Sequence, residues 1–323
     1  MSDVPSHARP DLELVVPEGP ARRLDLFLTL TLEGCSRRQA RELIDAGAVR
    51  VNGRRACKGQ PVFSRDVVHV AVDAREPVAL AAQPDLPVRI LYEDESVVAV
   101  DKPPGMPTHA RRLHERGTVA NFLVGRYPET RSASPNPLEA GLVHRLDTDT
   151  SGVMLAARTR VAYDALRRQF RERAVRKDYL ALVAGDVAQS GTVNAPIAHR
   201  PRHARRMRAC PDPESAQFLK ARQAVTRYRP VTRLASATLL AVRIRTGVRH
   251  QIRVHLAWIG HPVLGDSLYA KRSGPVLSPV RLFLHAYRVR LQHPDHSGPL
   301  IVKAPVPEDF QSVLDTLARG TET

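Results

Sequence analysis

The segment that most constrains this chain is residues 144–152, which reads HRLDTDTSG. It places Asp147 close to Arg145 and ahead of small polar residues that end in Gly152, a composition typical of a tight turn. A carboxylate held in such a turn can act as a nucleophile that forms a covalent adduct with a sugar or an electrophilic base. The alternative is structural, because an aspartate in this setting can also cap a helix or a turn.

The positive charge of the chain points to a polyanionic partner. With 323 residues, 43% of them hydrophobic, the chain is long enough for two domains with ordinary cores. Its formal net charge is +16, which a nucleic acid or an anionic membrane surface would balance. No apolar run reaches the roughly 20 residues of a spanning helix, and residues 1–20 lack the pattern of a signal sequence. We therefore expect a cytoplasmic protein, and a monomer.

Metal and disulfide chemistry are not expected. The three cysteines are far apart and form neither CxxC pairs nor a disulfide framework. His199 and His203 have the spacing of two ligands on one helix face, but Pro201 between them argues against a helix. No third ligand is near in sequence, so we expect no metal and no cofactor.

Changes in composition divide the chain into four parts. Residues 1–19 contain several prolines and lack periodic apolar residues, which predicts a flexible lead. Residues 20–72 have the pattern of a small domain, and residues 73–87 form a linker rich in alanine and proline. Residues 88–318 are predicted to form the second, larger domain.

The first domain is predicted to consist of two helices and a small hairpin sheet. Apolar residues recur at helical spacing from Leu24 to Leu32, and Ser36 with Gln39 forms a capping box that opens a second helix. The Asn-Gly dipeptide at 52–53 is a strong hairpin signal, and Val68–Val72 supplies another strand. The arginines expected on its exposed ends and turns are Arg22, Arg23, Arg37, Arg38, Arg41, Arg54 and Arg55.

The second domain is predicted to be α+β, with a mostly antiparallel mixed sheet flanked by helices. Short β-branched runs at Val88–Tyr92 and Ser96–Val100 are separated by an acidic turn. Helical patterns span 161–173 and 309–317, and no regular strand-helix alternation predicts a parallel sheet. Further strands are predicted at Tyr179–Val183, Thr238–Ile244, Arg253–Ile259 and Ala286–Leu291.

Several segments together resemble one enzyme family. Residues 144–152 match the HRLDxxTSG signature of the RluA-type pseudouridine synthases, which isomerise uridine in RNA, at all seven specified positions. Residues 177–183 are similar to that family's KxYxAxV motif, and residues 246–269 to TGRxHQIRxH followed by GxPxxGDxxY. Residues 102–105 fit its KPxG loop, and residues 20–72 resemble an S4 RNA-binding domain. The resemblance implies the pseudouridine synthase fold and no cofactor.

The resemblance also implies roles for three residues. Asp147 would be the nucleophile, Arg253 would pair with it and keep it ionised, and Tyr179 would lie against the target base. Since an ordinary tyrosine pKa of about 10 makes a poor base, we expect Tyr179 to stack and to position the base. One position departs from the family pattern: Val248 stands where arginine is common, followed by Arg249. The RNA contact of the usual arginine is therefore in doubt.

Basic residues along the chain are expected to contact RNA. Residues 199–208 contain five arginines and no acidic residue, which predicts an exposed loop that grips phosphates. Arg145 would fill the gap left by an extracted base, and Lys102 would either contact a phosphate or have no role. The predicted RNA contacts are Arg37, Arg38, Lys102, Arg145, Arg200, Arg205, Arg206, Arg208, Arg249 and His250.

Two other functions fit parts of the pattern. Asp147 and Asp149 have the DxD spacing of haloacid-dehalogenase-like phosphatases, which need magnesium and a doubly wound parallel sheet. A non-catalytic RNA-binding assembly factor would have lost the equivalents of Asp147, Tyr179 or Arg253, and all three are present. Large-subunit ribosomal RNA is favoured over transfer RNA as target, because S4-bearing members of the family commonly act on it. Attack of Asp147 on the ribose C1′ and on the base C6 both remain open.

Overall fold

The computed structural model describes residues 11–32, 35, 37–71, 80–111, 115–203, 205–270, 281–296 and 298–319. Two units, Met1–Ala79 and Leu80–Thr323, each have their own hydrophobic core. The linker predicted over 73–87 is described only from Leu80 onward, and Leu80 is buried in the core of the second unit. Both units combine helices and strands, which confirms the α+β class.

The N-terminal unit packs two helices on a small sheet. Leu24, Phe27 and Leu28 recur at helical spacing, and all three are buried. The main sheet has the strand order β1-β6-β3-β4 with antiparallel pairs, and β2 pairs with β5. The elements are β1 (Asp11–Val15), β2 (Arg22–Arg23), α1 (Leu24–Thr31), α2 (Arg37–Asp45), β3 (Val49–Val51), β4 (Arg54–Arg55), β5 (Pro61–Val62) and β6 (Val67–Ala71).

The hairpin predicted from the Asn-Gly dipeptide is confirmed. The turn between β3 and β4 has positive φ at both central residues, 49° at Asn52 and 77° at Gly53. These are the residue types that adopt this conformation at low cost. Both predicted helices are also present as α1 and α2, while the capping residue Ser36 lies outside the described residues.

The prediction of a flexible lead is wrong for its second half. Residues 11–15 form β1, which pairs antiparallel with β6 and brings Leu14 opposite Val68. Leu14 packs on the core of the unit, and Val16 just after the strand is buried. The apolar alternation is only a few residues long and lies among prolines, so it was too short to stand out as a strand. Residues 1–10 are outside the described residues.

Two arginines of the expected basic surface have a structural partner. The carboxylate of Asp25 is 2% exposed, and its oxygens lie 2.9 Å from Nε of Arg23 and 2.9 Å from Nε of Arg41. The hydrogen bond from Arg23, opposed by burial and reinforced by Arg41, holds the pKa of Asp25 well below its usual range. Because these two arginines are paired with the buried carboxylate of Asp25, they offer less positive charge to a polyanionic partner.

The second unit is built on a long, mostly antiparallel sheet, as predicted. Its strands are β7 (Arg89–Glu93), β8 (Val97–Lys102), β9 (Ser151–Ala157), β10 (Arg176–Ala184), β11 (Gly191–Asn194), β12 (Ile197–His199), β13 (Met207–Ala209), β14 (Val225–Arg233), β15 (Ala237–Ile244), β16 (Leu284–Gln292) and β17 (Pro299–Lys303). Its helices are α3 (Val119–Arg126), α4 (Thr130–Ala133), α5 (Arg160–Arg171), α6 (Pro213–Phe218), α7 (Gln251–Trp258) and α8 (Glu308–Arg319). Among the described residues no helix is long and apolar enough to cross a membrane.

The strand order of the large sheet is β11-β14-β15-β10-β16-β9-β8-β7, with β17 paired to the end of β16. β12 and β13 form a separate hairpin. The pairing of β16 with β9 is parallel and joins Ser151 and Gly152 to His285 and Ala286. A side chain at Gly152 would place its Cβ 2.3 Å from the carbonyl oxygen of Ala286, and φ at this glycine is +114°. The close approach of β16 to the start of β9 therefore requires a glycine at position 152, the last residue of the signature segment.

One predicted strand of the second unit is wrong. The segment Arg253–Ile259 lies in and just after helix α7, with Ile252, Val254 and Leu256 buried. Most of the surface of this helix is buried, so its sequence lacks the polar face that identifies an amphipathic helix. A short apolar segment of this kind is equally compatible with a strand. The other predicted strands and both predicted helices are confirmed as β7, β8, β10, β15, β16, α5 and α8.

Candidate active site

A cleft of about 920 Å³ in the second unit gathers the three predicted catalytic residues and three of the predicted RNA contacts. Its walls are the loop 143–147, the end of α5, the start of β10, and the segment from the end of β15 to the start of α7. Asp147 is the one carboxylate among the described residues that line it. The arginines that line it are Arg145, Arg167, Arg171, Arg173, Arg222, Arg245, Arg249 and Arg253.

Asp147 lies in the loop before β9 and faces this cleft. Its side chain is 20% exposed, and Oδ2 accepts a hydrogen bond of 2.9 Å from Nη1 of Arg253. The carboxylate is thus fixed by a cation yet remains open to a ligand. The structure therefore brings together the two residues for which the sequence predicted an ion pair.

Arg253 is itself held by a second carboxylate. Its Nε and Nη2 donate to the two oxygens of Asp266 at 2.7 and 2.8 Å, and the Asp266 side chain is fully buried. Burial lowers the pKa of Arg253, but the hydrogen bond and charge of Asp266, together with Asp147, outweigh burial and raise it above its usual value. Asp266 was missed as a site residue, although it lies in the GDxxY segment that the sequence comparison had marked.

Tyr179 lies on β10 and lines the cleft with Asp147. The residue is 8% exposed. Burial, reinforced by the negative charge of Asp147, raises the pKa of its hydroxyl above the ordinary value. A phenol that holds its proton this firmly is a poor general base, so the environment favours the stacking role expected from the sequence.

His250 stands beside the carboxylate at the start of α7. Its Nε2 lies 3.8 Å from Oδ1 of Asp147, and its Nδ1 lies 2.7 Å from the hydroxyl of Tyr269. Burial, only partly opposed by the charge of Asp147, lowers the pKa of His250 to about 4. The ring is therefore neutral at pH 7. The Tyr269 hydroxyl also accepts a 2.9 Å hydrogen bond from the backbone N–H of Met207 on β13.

The departure at Val248 has a packing explanation. Val248 is 8% exposed and packs in a small cluster with Ile197 and Met207 of the β12–β13 hairpin and with Val254 of α7. Arg249 is exposed and lines the cleft. The valine thus contributes to the packing of the hairpin, and a positive charge is retained at the next position.

The arginine-rich run predicted as an exposed loop forms the β12–β13 hairpin and its turn. Arg200, Arg205 and Arg208 are exposed there, and Arg206 is partly buried. Arg145, like Arg249, is exposed in the cleft. In the N-terminal unit, the structure exposes Arg37 on α2, and the side chain of Arg38 lies outside what the structure describes.

Lys102 is not placed to contact phosphate. It is fully buried, and its Nζ donates to the carbonyl oxygens of Pro103 and Met106 at 2.8 Å each and of Thr148 at 2.7 Å. All three N–H groups of the ammonium are therefore used within the protein. Because Thr148 follows Asp147, this lysine holds the loop that presents the carboxylate.

Lys102→Met is expected to lower the free energy of unfolding by about 3 kcal/mol, because three carbonyl groups, one of them buried and two partly buried, lose their donor. Urea unfolding of the full chain measures this. The salt dependence of RNA affinity should stay as in the wild type, because no phosphate contact is removed. Lys303→Met, at an exposed position on β17, is the matched control and should change neither quantity. A reduced salt dependence in Lys102→Met would contradict the structural role.

Comparison with known proteins decides what kind of protein carries this cleft. A family model described as RNA pseudouridylate synthase matches residues 96–258, and a model described as S4 domain matches residues 22–68. The chain belongs to the pseudouridine synthase family. The synthase is thus an isomerase that acts on RNA, and the match includes every residue named above as lining the cleft.

Curated relatives extend the match over nearly the whole synthase. A protein named ribosomal large subunit pseudouridine synthase D from Nitrosomonas europaea is 34% identical, covering 95% of this chain and 88% of its own. A protein of the same name from Xylella fastidiosa is 38% identical, covering 94% and 92%. An RNA pseudouridine synthase from Chloroflexus aurantiacus is 39% identical, also covering 94% and 92%.

Solved structures confirm the fold of the synthase. The human protein RNA pseudouridylate synthase domain containing 4 superposes with a TM-score of 0.56 at 24% identity, covering 71% of this chain and 92% of its own. The large sheet of the synthase has one parallel pairing among its described strands, which excludes the doubly wound parallel sheet required by the phosphatase interpretation.

Proposed function

We propose that the synthase converts uridine to pseudouridine in large-subunit ribosomal RNA, with Asp147 as the nucleophile. The observation that carries this is the environment of Asp147. It is the one carboxylate among the described residues of a strongly basic cleft, and its Oδ2 accepts a 2.9 Å hydrogen bond from the guanidinium of Arg253. A basic cleft attracts the RNA backbone, and a fixed carboxylate within it can reach an extracted nucleoside.

The target base must leave the RNA stack before it can meet Asp147. Extraction costs a few kcal/mol, which phosphate contacts in the cleft and stacking in the pocket offset. Arg145 lies in the same loop as Asp147 with an exposed side chain, so it is suited to occupy the gap in the RNA. The buried ring of Tyr179 then offers a surface on which the uracil stacks.

The isomerisation itself needs one covalent intermediate. Asp147 attacks either the ribose C1′ or the base C6, the bond between N1 and C1′ breaks, and the base turns so that C5 faces the ribose. The bond between C5 and C1′ then forms, the carboxylate is released, C5 loses its proton, and N1 gains one. The raised pKa of Tyr179 argues against that residue as the acceptor of the C5 proton.

The target RNA is inferred from the relatives. Several carry the name ribosomal large subunit pseudouridine synthase D and match the chain over more than nine tenths of its length. The S4 domain at residues 22–68 adds a second RNA-binding element, consistent with a large structured substrate. Transfer RNA is the alternative target.

The test uses RNA from cells in which the gene for this protein has been deleted. Purified large-subunit ribosomal RNA and transfer RNA are each incubated with the full-length protein, and new pseudouridines are mapped. We expect new sites in the ribosomal RNA only. New sites confined to transfer RNA would overturn the proposed target, and none in either RNA, nor in ribosomal precursor particles, would overturn the proposal as a whole.

A further inference from the structure

Two buried lysines of the second unit differ in how their ammonium groups are satisfied. Lys102 donates to three carbonyl oxygens. Lys177 is 6% exposed, and its Nζ has one hydrogen-bond acceptor among the described residues, the carbonyl oxygen of Thr246 at 2.9 Å. Since an ammonium carries three N–H donors, two of those at Lys177 have no acceptor within the described part of the chain. Such a group is costly to bury unless a ligand completes it.

The side chain of Lys177 faces the cleft. Lys177 and Tyr179 are two residues apart on β10 and therefore share one face of the sheet, and both line the cleft. Asp178 between them points to the opposite face, where it pairs with Arg243 and Arg288 at 2.7 Å each. The Lys177 Nζ lies 5.6 Å from the centre of the Phe170 ring, within the range of a cation–π contact.

Lys177 lines a cleft in which the other charged residues, among those that the structure describes, are arginines and one carboxylate. Asp147, the one carboxylate among the described lining residues, is already paired with Arg253. The charged residues that line the cleft besides these are the arginines named above, including Arg167 and Arg245. A partly desolvated ammonium in a cleft lined by arginines is stabilised most by a negatively charged ligand with several acceptor oxygens.

We propose that Lys177 binds a phosphodiester group of the RNA next to the extracted uridine, at the floor of the cleft. The inference rests on the function proposed above. A phosphate supplies a full negative charge and more than one acceptor oxygen, which matches the two N–H groups that lack a partner. A uracil carbonyl is neutral and would leave the positive charge of the cleft unbalanced at this point.

The test compares Lys177→Met with the wild type in the full chain. Methionine has a similar length and no charge. We expect KM and the RNA dissociation constant to rise about tenfold with kcat within about threefold, because a phosphate contact made equally in the ground and transition states changes KM alone. The slope of log affinity against log salt should fall by about 0.7 to 0.9, the value of one phosphate contact. Lys303→Met is the control and should leave all these quantities unchanged.

The pH dependence of binding gives an independent readout. Burial lowers the pKa of Lys177 to about 8, so RNA affinity should fall as pH rises from 7 to 9 and the ammonium loses its proton. The histidines of this region do not titrate in this range, because burial lowers the pKa of His144 to about 3 and the pKa values of His109 and His250 to about 4 each. Lys102, whose pKa burial lowers to about 7, is present in both proteins, so comparing them isolates the contribution of Lys177. Burial also raises the pKa of Tyr179. The decline should be absent from Lys177→Met.

The outcomes separate this inference from the proposed function. If Lys177→Met and an active wild type had the same RNA affinity, salt slope and pH dependence, the role of Lys177 would be overturned. The proposed function would stand. A fall in kcat at unchanged KM would place Lys177 at the reacting atoms and would also overturn the inference. A clearly lower thermal midpoint of the RNA-free variant would assign the lysine a structural role, whereas we expect the midpoint to be unchanged or higher. If the wild type formed no pseudouridine in any RNA, the proposed function itself would be overturned.

Discussion

Asp147→Asn is expected to abolish pseudouridine formation, with a fall in kcat of at least about 10⁴-fold. The amide keeps the shape of the side chain but is not a nucleophile, so no covalent intermediate forms. RNA affinity should stay within a few-fold of the wild type, because the phosphate contacts of the cleft arginines remain. Single-turnover conversion of the ribosomal RNA target and a separate binding assay measure the two quantities.

Asp149→Asn is the matched control for this substitution. Asp149 is in the same loop, its side chain is exposed, and it does not line the cleft. Activity should therefore remain near that of the wild type. If the Asp147→Asn protein retained activity within tenfold of the wild type, Asp147 would not be the nucleophile. Loss of activity in both variants would point to the loop as a whole.

Arg253→Met is expected to damage both stability and catalysis. The fully buried carboxylate of Asp266 would lose two hydrogen bonds from the guanidinium, and an unpaired buried charge costs about 3–5 kcal/mol. Asp147 would lose the cation that orients it, which we expect to reduce kcat by about 10³-fold. Urea unfolding and single-turnover kinetics check the two effects.

Adding Asp266→Asn to Arg253→Met separates the two effects. The second substitution removes the unpaired buried charge, so part of the lost stability should return. Activity should not return, because Asp147 still lacks its guanidinium partner. If the double variant regained activity along with stability, the role of Arg253 would be confined to folding, and the ion pair with Asp147 would have no part in the reaction.

The sequence was most informative in the one short segment that contains both a predicted turn and the predicted nucleophile. Residues 144–152 predicted a tight turn with an accessible carboxylate, and the structure has Asp147 in a loop that faces the cleft. The pairing of Arg253 with Asp147 was expected from the family resemblance alone. Their separation of 106 positions in sequence means that no local pattern could have revealed the pair.

The parts that the sequence could not predict depend on burial. Arg253 was placed on a strand because the helix that carries it is buried on most sides and lacks a polar face. Lys102 was expected either to contact a phosphate or to have no role, yet it donates to three backbone carbonyls from two separate loops. Carbonyl groups are present at every residue, so a sequence gives no sign of which of them will surround a lysine.

The hydroxyl of Tyr269 makes two hydrogen bonds that add a polar link between the arginine-bearing hairpin and the residue beside Asp147. One bond ties it to the backbone of the arginine-bearing hairpin at Met207, and the other ties it to His250, whose ring faces Asp147. A displacement of the hairpin by an incoming RNA stretches at least one of these bonds or carries the imidazole with it. The placement of the hairpin and the placement of the imidazole beside Asp147 are thereby coupled through a single phenol.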